Sequence, residues 1–413
     1  MKIALLVGGA PPNPTTGGGA VTAWTVMSQL VDFGHDVSVI VLADPENSVD
    51  PRREDLVRER GAQLVSVSSR AGEVFDRLHG GVRARLRRTF RPPAETLYPT
   101  LIDRPAVRDA VDGTGAEAAF VYHFESLAAS RDLGVPRFAA VGDPPHLSAL
   151  YHFRRSPSLR AIGRLQAQVR RQPPLLVEML NECSAAGAFA AHHAAWLRRK
   201  GAERCEYLQT PVPDPGPLAR KEADKPRILL VGHLKGAVTL EGLQRFATGV
   251  LPRLEDELGA DGFEVRLAGG FDPPPKLARA LNRPSVRLLG HVEDAGPEFR
   301  SAHVMLVPNS ITLGIRVRII TAFAYGCCIV TDRANTLGIP ELAHEHNALI
   351  ADSPEGLAGE TLRALGDPAL RASLGAAARE TYEGAFQPRV AVGRIADTLE
   401  RIAGGRSAAA VSV

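Results

Sequence analysis

The chain opens on an apolar run, "KIALLVGG", followed by a Pro- and Gly-rich stretch to Gly19 and then by "AVTAWTVMSQLVDFG", where apolar residues recur every three or four positions. The first pattern predicts a buried strand and the last a helix with one core-facing stripe. "HDVSVIVL" follows as a second strand, so strand, helix and parallel strand form a βαβ unit. The runs "AQLVSVS", "AAFVYH" and "RFAAVGD" extend the series. The Pro- and charge-rich "TPVPDPGPLARKEADKP" then interrupts it with the composition of a linker. "RILLVGHL" begins a second series: the helix "LEGLQRFATGVLPRLEDEL", the strands "FEVRLAGG", "VRLLGHV" and "HVMLVP", a helix from Gly314, and the strands "CCIVTD" and "NALIAD". The remainder is helical pattern broken at Gly366–Pro368 and near Pro388, with "GGRSAAAVSV" expected as a frayed tail.

This alternation predicts an α/β protein with two doubly wound parallel sheets. The expected domains are residues 1–209 and 227–388, joined by a linker at 210–226 and followed by a terminal helix and tail at 389–413. Ligands of such sheets bind beyond the C-terminal strand ends, which would face each other across a cleft. A length of 413 residues is enough for two cores, and 45% hydrophobic content excludes wholesale disorder. The net charge of +3 is too small to mark a nucleic-acid protein. Cys183, Cys205, Cys327 and Cys328 make no Cys-x-x-Cys pattern and have no His at zinc-site spacing. They read as free thiols of a reducing compartment, and no metal site is expected. The first apolar run is too short for a signal peptide, and no run is long enough to span a bilayer. A cytoplasmic protein is therefore expected. Two basic stretches, residues 74–93 and "YHFRRSPSLRAIGRLQAQVRRQ", read either as solvated helix faces or as cationic surfaces for an anionic acceptor or a membrane.

The candidate chemistry begins at "LGIRVRIITAFAYG". Val317, Ile320 and Ala324 set a helical stripe, yet Arg316 and Arg318 occupy its first turn, where the helix dipole disfavours cations. A bound phosphate would offset that penalty, because backbone N–H groups and arginine both suit it. Gly314 would allow the backbone close to such a ligand. Two residues apart, the arginines project from nearly opposite sides, so one is expected on the phosphate and the other on an acid or in solvent. The alternative is a pair snorkelling outward from a surface helix.

As a whole the chain resembles the GT-B glycosyltransferases, and within them the nucleotide-sugar-dependent enzymes of family four. The resemblance is carried by "TGGGAVTAWTVMSQLVDFGHDVSVIVL", by "SAAGAFAAHHAAWLRRKGAERCEYLQTPV" and most specifically by "VRLLGHVEDAGPEFRSAHVMLVPNS" with "GIRVRIITAFAYGCCIVTDRANTLGIPEL". It implies that Gly314, Ile315, Arg316 and Val317 bind a donor diphosphate through main-chain N–H groups, with Arg316 and Arg318 as basic residues there. It implies that Gly17, Gly18 and Gly19 approach the donor, that His123 is directed at the donor sugar, and that Gly290, His291 and Val292 read the base. Asp143 and His146 in "GDPPH" stand at a strand end, where they could orient an acceptor hydroxyl or act as base. Glu341 opens a later helix and suits capping alone.

Two departures stand out. The family carries two glutamates where this chain has Leu313 and Thr321; Leu accepts no hydrogen bond and Thr offers one oxygen. Near the first strand of the second half, His233 and Lys235 replace the family's Gly-Arg and Lys at altered spacing, and Lys235 either reaches a phosphate or is a surface Lys. The resemblance implies transfer of a sugar from a nucleotide diphosphate sugar to a small-molecule or glycan acceptor with retention. It implies no metal and no cofactor beyond that co-substrate. Rival expectations are a non-catalytic GT-B protein, which Leu313 and Thr321 favour, and a sugar-nucleotide epimerase. A Rossmann-type oxidoreductase is opposed by the absent G-x-G-x-x-G.

Overall fold

The structure is a computed structural model that describes residues 1–15, 18–43, 51–68, 104–155, 157, 159–217, 220–234, 236–270 and 272–410. The chain divides into two compact units: Met1–Pro211 together with Ala391–Val413, and Val212–Val390. The basic stretch at 74–93, Gly17 and Lys235 lie outside the described residues.

The first unit is built on strands β1 (Lys2–Gly9), β2 (Asp36–Ala43), β3 (Gln63–Ser68), β4 (Ala118–Tyr122), β5 (Arg137–Val141), β6 (Ala185–Ala188) and β7 (Cys205–Tyr207). Their order across the sheet is β3-β2-β1-β4-β5-β6-β7, and every neighbouring pair is parallel. A parallel sheet covered on both faces needs strands without a wet side. Ile3 to Val7 and all of β4 and β5 are accordingly buried.

The second unit carries β8 (Arg227–Val231), β9 (Glu264–Ala268), β10 (Val286–Gly290), β11 (Val304–Val307), β12 (Ile329–Asp332) and β13 (Leu349–Ala351). Their order is β10-β9-β8-β11-β12-β13, again all parallel. Successive side chains alternate between two cores, as a period of two requires. Ile228, Leu230, Leu306 and Val330 pack into one, and Leu229, Met305, Val307 and Ile329 into the other.

Three local differences from the sequence expectation have physical causes. The predicted helix "LEGLQRFATGVLPRLEDEL" is two helices, Ala237–Arg245 and Leu251–Leu258, joined by a π-helical turn, Phe246–Val250. Pro252 supplies no N–H and its ring crowds the preceding turn, and the wider turn accommodates it. The last helix, Pro388–Ala410, runs into the alanine-rich segment expected to fray, since alanine is the strongest helix former. Finally, the presumed linker is fastened to the second unit: Val212 N–H donates to Phe386 O, Lys221 N–H to Arg300 O and Ala223 N–H to Ser301 O. All four cysteines are free and buried.

Phe246 lies fully buried in the π-helical turn. Phe246→Ala should destabilise the second unit by about 3–5 kcal/mol, read as a lower urea midpoint.

Candidate functional site

In a doubly wound sheet the chain leaves its first strand in one direction and later returns on the other side, opening a crevice beyond the strand ends at that reversal. In the second unit the reversal falls between β8 and β11. Arg318 is turned into it. Its Nη1 donates to Val231 O at 2.7 Å, at the end of β8, and its Nη2 to Asn309 Oδ1 at 2.5 Å, just past β11; Thr239 Oγ1 is 3.5 Å away. All three acceptors are neutral, and among the described residues no carboxylate forms an ion pair with Arg318. Burial, with the Arg316 charge second, lowers the Arg318 pKa to about 9, so it stays charged at neutral pH.

The surroundings are shaped to this side chain. A Cβ on Gly232 would collide with Arg318 Nη1, and one on Gly242 with the Asn309 amide. Asn309 is buried; its Nδ2 donates to Val238 O, and its carbonyl accepts from Asn335 Nδ2 at 3.1 Å. Asn335 Nδ2 also reaches Thr331 Oγ1 and Asp332 O, and Asp332 pairs with Arg245 at 2.9 Å.

Arg316 is the N-cap of the helix Val317–Ala324 and folds back on its own loop, Nη2 donating to Ile311 O at 2.8 Å and to Leu313 O at 2.6 Å. An acid or solvent was expected for one of the pair; the described hydrogen bonds of Arg316 go to loop carbonyls, and those of Arg318 to the strand end, Asn309 and Thr239. Gly314 adopts φ +69°, a conformation that favours glycine and turns the chain into the helix. Ile315 and Val317 pack partly buried against the core on this side of the sheet. Thr321 Oγ1 donates to Val317 O at 3.1 Å and serves its own helix. His291 is exposed after Gly290 at the end of β10, two strands from β8.

In the first unit the reversal falls between β1 and β4. His123 follows β4 with φ +66°, a strained value for a residue with a Cβ, of a kind that persists where surrounding contacts impose it. A Cβ on Gly19 would stand 3.3 Å from His123 Nε2, and one on Gly142 2.6 Å from His123 Cε1, so both glycines make room for the ring. Gly18 and Gly19 open the helix Gly18–Asp32. Burial lowers the His123 pKa to about 4. Asp143 lies past β5 with its Oδ1 3.3 Å from His193 Nδ1, without hydrogen-bond alignment. His193 is buried, and burial, aided by His192 and His146, lowers its pKa to about 3. The imidazole is therefore neutral, and the contact is no ion pair at neutral pH. His146, buried against Trp196, is lowered to about 4 by burial and by Lys200.

Similarity to solved structures is decisive for the fold. Sucrose-phosphate synthase from Thermosynechococcus elongatus superposes with a TM-score of 0.69 at 15% identity, covering 98% of this chain and 99% of that one. The chain has the GT-B fold. Anabaena HepE, solved with UDP and glucose, matches at 0.66 and 14% identity over 97% and 99% of the two chains. A glycosyltransferase from Rickettsia africae matches at 0.64 and 11% over 97% and 98%. Within this GT-B chain, residues 225–367 match the family model described as Glycosyl transferases group 1. No curated protein sequence matches the chain.

Sequence reasoning missed Asn309, Asn335, Gly232 and Gly142. Asn309 and Gly142 each stand one or two residues past an apolar strand, the one signal that could have found them.

The neutral histidines generate a pH prediction. An unfolded histidine takes up its proton near 6.5, but His123, His146 and His193 do so in the folded state only near 4, 4 and 3. The unfolded state thus binds more protons below about 6.5, and stability falls as the pH drops from there towards 4. Thermal midpoints measured over that range should show this fall, and His193→Gln should make it shallower.

Proposed function

We propose that this protein is a glycosyltransferase that moves a sugar from a nucleotide diphosphate sugar to a small-molecule or glycan acceptor, with retention as the family-four resemblance implies. The observation that carries the reading is Arg318: a cation at the reversal between β8 and β11, held among the described residues by neutral oxygens alone, inside the segment that matches Glycosyl transferases group 1. A largely desolvated charge with no counter-ion favours an anionic ligand. In the proposed reaction the bond from the anomeric carbon to the diphosphate oxygen breaks and negative charge grows on that oxygen. Arg318, Arg316 and the N–H groups opening the helix Val317–Ala324 are proposed to stabilise it, a form of catalysis by groups already in place. The proposal requires no metal and no cofactor beyond the co-substrate.

His123 is proposed for the donor sugar, with Gly18 and Gly19 beside it, and His291 for the base. Asp143, beside neutral His193, is proposed to take the proton of the acceptor hydroxyl as its oxygen bonds to the anomeric carbon. A second reading, a GT-B protein that binds a nucleotide without transferring a sugar, is favoured by Leu313 and by Thr321, whose hydroxyl is spent on its own helix.

A thermal-shift series with UDP, GDP, TDP, ADP and NAD tests the proposal. One nucleoside diphosphate should stabilise the protein by linkage. Arg318→Met should weaken its binding about 10- to 100-fold, as loss of a charge-assisted hydrogen bond implies. Stabilisation without transfer or donor hydrolysis would select the second reading. Stabilisation by NAD alone would overturn both.

A further inference from the structure

The first unit holds a carboxylate that the reading above does not use. Glu125, two residues after His123, lies over the end of β1: a Cβ on Gly8 would stand 2.8 Å from Glu125 Cβ and 3.0 Å from its Oε2. Gly8 does not have a positive φ, so its lack of a side chain answers to this close approach. Glu125 is half-buried, and among the described residues its carboxylate has no hydrogen-bond or ion-pair partner. Elsewhere among the described residues of the first unit acids pair with nearby arginines: Glu54 with Arg58, Asp32 with Arg60, Asp132 with Arg104, Glu178 and Glu182 with Arg131. Glu125 stands apart from that pattern, at the reversal between β1 and β4, two residues along the chain from the neutral imidazole of His123.

We propose that Glu125, at the first unit's reversal together with His123, is a hydroxyl-binding carboxylate for a sugar. The inference rests on the glycosyltransferase reading. A carboxylate accepts from two neighbouring hydroxyls at once, and a neutral imidazole adds one acceptor or one donor. Partial burial strengthens such bonds, because less water competes for them. The same carboxylate repels phosphate, so the diphosphate belongs with Arg318 and not with the glycines at the end of β1. Burial also raises the Glu125 pKa above the ordinary carboxylate value. Below that raised value the carboxyl is protonated and loses acceptor capacity, so sugar affinity falls as the pH is lowered.

The hydroxyls could come from the donor's sugar or from a saccharide acceptor, and the experiment separates these sources. Calorimetric titration of the full chain would use UDP, GDP, TDP and ADP, their glucose conjugates, and free glucose. Glu125→Gln should leave diphosphate affinity within about twofold and lower affinity for the sugar-bearing ligand at least tenfold, abolishing its decline towards low pH. Loss confined to a glucose conjugate marks the donor sugar, and loss for free glucose marks an acceptor. Gly8→Ala, which displaces Glu125 without altering it, should act in the same direction. Sugar affinity and pH dependence unchanged in both variants would overturn this inference while leaving the glycosyltransferase reading intact. Failure of every diphosphate and conjugate to bind the unaltered protein would overturn the reading, and the inference with it.

Discussion

The second unit is organised around one desolvated cation. Placing the Arg318 guanidinium against the ends of β8 and β11 removes it from much of its water, and charge without compensation is expensive there. The chain compensates with oxygens that carry no net charge: a strand-end carbonyl, an amide and a hydroxyl. Those oxygens must themselves be held. Asn309 is anchored on Val238 O and Asn335, Gly232 and Gly242 leave the room required, and Asn335 continues the network to Thr331 and Asp332. Solvation without neutralisation keeps the positive potential available to a ligand, which a salt bridge would have cancelled.

The two units apply the same geometric device to opposite chemistry. Each sheet reverses beside its first strand, and each reversal is lined by glycines that admit a polar side chain. In the second unit that side chain is a cation. In the first it is a neutral imidazole with a carboxylate two residues on. Cation and helix N-terminus suit a diphosphate, and acceptor oxygens suit hydroxyls.

The fold was largely legible from hydrophobic patterning, because parallel strands buried on both faces leave unbroken apolar runs such as "KIALLVGG" and "HVMLVP". The arginines at Arg316 and Arg318 were legible because they violate a local electrostatic rule. Their actual bonds were not, since Val231 and Arg318 are 87 residues apart and meet only when the sheet is assembled. Glu125 escaped notice for a related reason. Nothing local marks a glutamate in "HFESLAA"; its character comes from Gly8 and from the partners it lacks among the described residues. The π-helical turn was missed because the apolar period continues through it.

The first unit is discontinuous in sequence, for the residues from Ala391 onward belong with Met1–Pro211, and Glu400 lies 3.7 Å from His35. This sets an order on biosynthesis. Domains fold as units while the chain is made, N-terminal ones generally first. Here all residues of the second unit are made before the closing helix of the first. Residues at the start of the chain therefore reach their final packing only when synthesis has passed Glu400, and chains stopped short of that point would present an unfinished first unit to chaperones and proteases.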